Sequence, residues 1–180
     1  MTPNSHTPDT DLSATGRVNV SVLFVCLGNI CRSPLAQGVF QHLVEESGAS
    51  HRYRIDSAGT GAWHAGEPAD PRSLEVAERN GIVLRCRARQ VREEDFHEFD
   101  LILAMDRANL ADLESVRPAT EVRADLRLFR EFDPEGNGDL EVPDPYYGGP
   151  DGFDRVFEMV ERSCQALLEE LEKLEDEEGV

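Results

Sequence analysis

Lysine is almost missing from this chain: Lys173 is the only one in 180 residues, and the remaining positive charge is arginine. Positive charge is scarce altogether, with 18 basic side chains against 36 acidic ones, a net charge of -18 and a pI near 4.5. The overall field repels nucleic acid and anionic membrane, which excludes non-specific binding to either. No apolar run approaches the roughly 20 residues of a membrane span, and no internal repeat is visible. Residues 1–16 are polar and carry Pro3 and Pro8. They have neither the apolar core of a secretory signal nor the arginine-rich pattern of a transit peptide. Cysteine is sparse (Cys26, Cys31, Cys86 and Cys164) and comes with no signal for export. The expectation is a soluble, cytoplasmic protein of a reducing compartment.

What is present is an ordinary globular composition, 39% hydrophobic, enough for one well-formed core. The organisation expected is a flexible tail over 1–17, a single domain over 18–175 and an acidic tail over 176–180. Asn19 to Val25 is a compact apolar run rich in β-branched residues, suited to a strand buried on both faces. Ser33-Pro34 then opens a helix, Ser33 as N-cap and Pro34 in the first turn. Tyr53 to Ala58 reads as a strand, Pro71 to Arg79 as a helix stopped by Asn80-Gly81, and Asp100 to Met105 as a short strand. A helix follows over Arg107 to Val116, a fourth strand within Val122 to Phe129, and a last helix over Phe153 to Leu174. Asp133 to Gly152, rich in Pro, Gly and Asp, must be a long loop of the kind that is usually functional or disordered. Strands alternating with helices predict a doubly wound α/β domain: a four-stranded parallel sheet with helices on both faces.

The chemistry concentrates between the first strand and the first helix. Ligands of such sheets bind beyond the carboxyl ends of the strands, and Cys26 ends the first strand. Leu27, Gly28, Asn29, Ile30 and Cys31 can turn their N–H groups inward as a nest for a tetrahedral anion, with the positive end of the helix behind them. Both features favour the thiolate of Cys26. Arg32 adds a guanidinium able to clamp two oxygens at once, a geometry lysine lacks. A lone strand cysteine is commonly a small buried hydrophobe, but Gly28, Asn29, Arg32, Ser33 and Pro34 in order behind it favour a nucleophile. The loop has no lysine and so is no Walker motif. Cys26 and Cys31 have no second ligand pair and so make no zinc knuckle. Cys31 has two readings, a disulfide partner that reversibly silences Cys26, or a small residue facing the helix.

The spacing Cys26-x5-Arg32-Ser33 is that of cysteine-dependent phosphatases. The run Val22-Leu23-Phe24-Val25-Cys26-Leu27-Gly28-Asn29-Ile30-Cys31-Arg32-Ser33-Pro34-Leu35-Ala36 resembles the signature of the low-molecular-weight protein tyrosine phosphatases. Similarity extends from Val18 to the last helix, through Asp56-Ser57-Ala58-Gly59-Thr60, Trp63-His64, Asp70-Pro71-Arg72, Arg87-Ala88-Arg89-Gln90, Leu103-Ala104-Met105-Asp106 and Val142-Pro143-Asp144-Pro145-Tyr146-Tyr147. The resemblance implies hydrolysis of phosphotyrosine monoesters through a phosphocysteine on Cys26, with Arg32 as phosphate clamp and Asp144 as general acid and base. It implies a hydrogen bond from Ser33 to the thiolate, a scaffolding role for Asn29, and no metal or organic cofactor. Trp63, Tyr146 and Tyr147 would rim the cleft and stack on the substrate ring; for Trp63, cover of a core edge competes with that role. Asn80 stands where many relatives carry histidine, so it must take over through its amide any part that residue plays in orienting Ser33, or leave Ser33 less constrained. The partner implied is a phosphotyrosine-bearing protein or peptide, a tyrosine kinase among the candidates.

Three other functions are weighed. A protein arginine phosphatase of the same family carries threonine where Ile30 stands. An arsenate reductase needs two further relay cysteines, and Cys86 has none nearby. An inactive phosphoprotein-binding module would have lost the cysteine, the arginine or the acid, and all three are present.

Overall fold

The structure, a computed structural model, describes residues 19–149 and 151–178, so the tail expected over 1–17 lies outside the described residues. Its central strand is β1 (Val20–Cys26). The alternation of side chains explains why β1 reads as an unbroken apolar run: Val22, Phe24 and Cys26 enter one core, Leu23 and Val25 the other. β2 (Tyr53–Gly59) pairs along one edge of β1 and β3 (Leu101–Ala104) along the other, with β4 (Asp125–Leu128) beyond β3. All three pairings are parallel. The order β2-β1-β3-β4 is the four-stranded, doubly wound α/β sheet expected.

One face carries α1 (Arg32–Glu46) and α5 (Asp151–Glu178), joined by α2 (Pro71–Arg79). The other is covered by the single turn α3 (Asp95–Glu98), through Phe96, and by α4 (Arg107–Val116), through Leu113. Phe24 is fully buried and meets Phe40 of α1 and Phe129 edge-on, with ring centroids 5.9 and 5.2 Å away. Each such pair adds about 0.5–1.5 kcal/mol beyond burial, anchoring the strand that ends in Cys26. Among the described residues, no helix is long and apolar enough to cross a membrane.

The ends of the elements follow their cap chemistry. α2 starts where the Asp70 carboxylate accepts the Arg72 N–H, with Pro71 at the first helical position, and stops at Gly81, whose φ of +78° suits glycine. The Ser33 cap does not form. α1 begins at Arg32 after Cys31, with no side-chain cap, and the Ser33 hydroxyl is committed to the cysteine instead. The last helix is longer than periodicity indicated, from Asp151 to Glu178, so the described part of the acidic stretch 176–180 is helical. Neither α3 nor the 3-10 turns Ser50–Arg52 and Phe129–Phe132 were foreseen.

Candidate active site

β1 has neighbours on both sides, and in a doubly wound sheet the ligand crevice opens beyond the strand ends at such a point. Cys26 sits there, and residues 27–31 loop over the ends of β1 and β2 into α1. The end of β2 supports the loop from below: Thr60 N–H donates to Cys26 O at 2.9 Å and Gly61 N–H to Leu27 O at 2.9 Å. Such contact requires Gly59, because a Cβ there would come within 2.8 Å of Leu27 O.

The loop is pinned from inside by Asn29, buried and left-handed at φ +56°. Its Oδ1 accepts the Arg89 backbone N–H at 3.0 Å, which fixes the amide orientation. Nδ2 therefore donates, at 2.8 Å to Ser33 Oγ and at 3.0 Å to Ser57 Oγ. Ser57 passes its own proton to Gln37 Oε1. With Asn29 Nδ2 in one of its two acceptor positions, the Ser33 hydroxyl keeps its proton for Cys26 Sγ, 3.0 Å away, or for Ala58 O, the longer contact at 3.5 Å. Asn80 plays no part in this chain: its amide donates to Val76 O at the end of α2.

Arg32 is equally determined. Its Nη1 donates to Asp106 Oδ2 at 2.6 Å and to Val142 O at 3.0 Å, while Nη2 lies 3.7 Å from Asp144 Oδ2. The other oxygen of Asp106 caps α4 by accepting the Asn109 N–H. Burial alone would weaken the guanidinium charge, but Cys26, Asp106 and Asp144 outweigh it and raise the pKa above the ordinary arginine value. The Cys31 thiol is pushed up to about 12, by burial first and then by Asp70, Cys26 and Asp144, so it stays protonated at neutral pH.

A cleft of about 260 Å³ opens above the loop. Cys26, Leu27, Gly28, Ile30, Cys31 and Arg32 form its floor, and Asp144, Trp63, Tyr146 and Tyr147 its walls. Trp63 is 70% exposed and lies over Gly61, where a Cβ would overlap its ring; it covers no core edge. Tyr146 and Tyr147 meet edge to face at 4.8 Å. The side chains of Asn29 and Ser33 are buried in the hydrogen-bond chain behind the loop, and neither lines the cleft. Sequence reading assigned no role to Asp106, Ser57, Arg89 or Gln37, although all but Gln37 stand inside motifs it quoted. His64, beside Trp63 in a quoted motif, lines the cleft with Nδ1 2.8 Å from Glu67 Oε2. A buried sulfur beside a hydroxyl donor, a held guanidinium and a half-exposed carboxylate can together carry nucleophilic displacement at a tetrahedral anion.

The family model described as low molecular weight phosphotyrosine protein phosphatase matches residues 21–177. A low molecular weight protein-tyrosine-phosphatase of Streptomyces coelicolor is 49% identical over 148 residues, spanning 82% of this chain and 90% of its own. Among solved structures, a protein tyrosine phosphatase from Entamoeba histolytica with Hepes in its active site superposes with a TM-score of 0.80. It is 38% identical and covers 86% of this chain and 97% of its own. A Drosophila arginine phosphatase superposes at 0.76 with 31% identity, over 83% and 96%.

Proposed function

Since the chain belongs to the low molecular weight phosphotyrosine protein phosphatase family, a family of hydrolases, we propose that it cleaves phosphotyrosine monoesters in proteins through a phosphocysteine on Cys26. The Cys26 sulfur attacks phosphorus, and the S–P bond forms as the bond to the phenolic oxygen breaks. Asp144 hands its proton to the departing oxygen, and Arg32 binds two equatorial phosphoryl oxygens. Asp144 then takes a proton from water as that water attacks phosphorus; inorganic phosphate leaves, and the thiolate is restored with the Ser33 hydroxyl as donor. Leu27, Gly28, Asn29, Ile30 and Cys31 supply the backbone N–H cradle, and Trp63, Tyr146 and Tyr147 hold the ring.

One observation carries this reading: Asp144, far along the chain from Cys26 and Arg32, lines the same cleft as both, with the Ser33 hydroxyl 3.0 Å from the sulfur. Superposition on the Drosophila arginine phosphatase gives phosphoarginine a hearing. Against it, Ile30 offers the guanidinium no hydroxyl, and the aromatic walls suit a phenyl ring.

The test is phosphate release from a phosphotyrosine and a phosphoarginine peptide side by side, under reducing conditions. Faster release from phosphotyrosine is expected, and the reverse order would make the chain an arginine phosphatase. Cys26→Ser should abolish turnover while still binding phosphate; retained turnover would remove Cys26 from the mechanism.

A further inference from the structure

The segment 143–149 carries Asp144 and both rim tyrosines, yet it is thinly attached. Its own bonds are local: Tyr146 N–H donates to Asp144 Oδ1 at 3.0 Å, and Gly148 N–H to Pro145 O at 3.1 Å. Among the described residues, two hydrogen bonds tie this segment to the rest of the domain: Gly152 N–H, a few residues on in α5, donates to Gly149 O at 3.0 Å, and Arg72 Nη1, the one donor distant in sequence, to Tyr146 O at 3.1 Å. The same guanidinium lies over the Tyr146 ring, 5.3 Å from its centroid, and over the Phe153 ring at the start of α5, 4.6 Å away.

The other side of Arg72 is fixed to the phosphate loop. Its Nε and Nη2 donate to the two oxygens of Asp70, each at 3.0 Å. Asp70 N–H in turn donates to Ile30 O at 2.8 Å, and the next residue, Ser73, donates from its hydroxyl to Cys31 O at 3.2 Å. Arg72 does not line the cleft. Its one role visible in the geometry is that of a strut between the loop holding the nucleophile and the loop holding the acid.

We propose that Arg72 is the positioning residue for Asp144, holding the 143–149 segment at a fixed distance above the phosphate loop. The proposal rests on the phosphatase reading of the same cleft. In kcat/KM, which reports the steps up to departure of the leaving group, a loosened acid matters only where that group needs a proton, which makes the effect separable from general damage.

The experiment measures kcat/KM for aryl phosphates whose leaving phenols span a range of acidity, in wild type, Arg72→Ala and Arg72→Met. Methionine keeps an apolar stem over Phe153 without the hydrogen bond. Both variants should lose about ten- to a hundredfold on the least acidic phenols, the scale of a misplaced catalytic group. They should lose less than about twofold on 2,4-dinitrophenyl phosphate, which departs without a proton. Competitive inhibition by inorganic phosphate should be unchanged, showing an intact loop beneath. In an Asp144→Ala background, Arg72→Ala should add almost nothing, since both changes remove one function. An equal loss across all leaving groups, weakened phosphate inhibition, or additive losses with Asp144→Ala would overturn the proposal, as would wild-type rates for Arg72→Met. A wild type that releases no phosphate from any aryl ester would instead overturn the phosphatase reading.

Discussion

The two halves of the cleft are built to different standards. The Arg32 side chain is 3% exposed and Asp144 is 41% exposed, although they lie 3.7 Å apart. Below, every group that bears on Cys26 is fixed more than once: Asn29 by three hydrogen bonds, Arg32 by Asp106 and Val142 O, the loop backbone by the end of β2. Above, the acid rides on a short segment closed mostly by its own bonds. The nucleophile and anion cradle must be correct before substrate arrives, because reorganising dipoles during reaction costs rate. The acid meets a leaving oxygen whose position depends on the substrate, so some freedom is tolerable there. Stability and catalysis should therefore separate between the halves.

Asp144→Ala tests this most severely. Losing a general acid costs about a hundred- to ten-thousandfold in rate, expected here in phosphotyrosine hydrolysis. As a half-exposed residue, its loss should move stability by no more than about 0.5 kcal/mol. Paired rate and thermal-melting measurements check both arms, and a large drop in melting temperature would show that the upper half is structural after all. Asn29→Ala is the converse. It leaves the Arg89 N–H without its acceptor and takes a donor away from the Ser33 and Ser57 oxygens, and an unmet buried group costs about 1–3 kcal/mol. The melting temperature should fall by several degrees, roughly 2–4 °C per kcal/mol for a domain of this size, and phosphate should bind about tenfold more weakly through a distorted cradle. A variant that melts like wild type would mean the network does not hold the loop.

The same division governs how much of the molecule was legible in its sequence. The lower half is local: strand, cysteine, loop, arginine and helix start follow one another, so residues 22–36 carry both the fold signal and the chemistry. The burial of β1 on both faces and the Asn80-Gly81 stop of α2 were readable for the same reason. Composition could not separate Asp144 from Asp133, Asp139 and Asp151 in a loop rich in aspartate, and only resemblance chose it. The structure supplies a physical reason against Asp133, which is spent between Arg130 and Arg162, with bonds of 3.0 to 3.2 Å. Burial works against its charge, but those arginines and the Glu135 N–H hold its carboxyl below the usual range. Asp106 and Arg89 were missed because their partners lie 74 and 60 residues away, where no spacing rule reaches. The Ser33 cap misled because Ser-Pro is a sound local signal for a helix start, and the hydroxyl had a stronger claim on it from Cys26.

Tyr147 gives the smallest expected effect and the finest test of the division. It is 93% exposed, and among the described residues its one aromatic pairing is with Tyr146, at 4.8 Å, so the folded protein draws little from its ring. Tyr147→Ala should leave the melting temperature unchanged. If the ring stacks on substrate, the interaction is worth about 0.5–1.5 kcal/mol, which corresponds to a two- to tenfold rise in KM for a phosphotyrosine peptide. Inorganic phosphate has no ring, and its inhibition constant should stay as in wild type. A matching loss for peptide and phosphate would mean that Tyr147 acts on the loop below rather than on substrate, and the two halves would then be coupled at the rim.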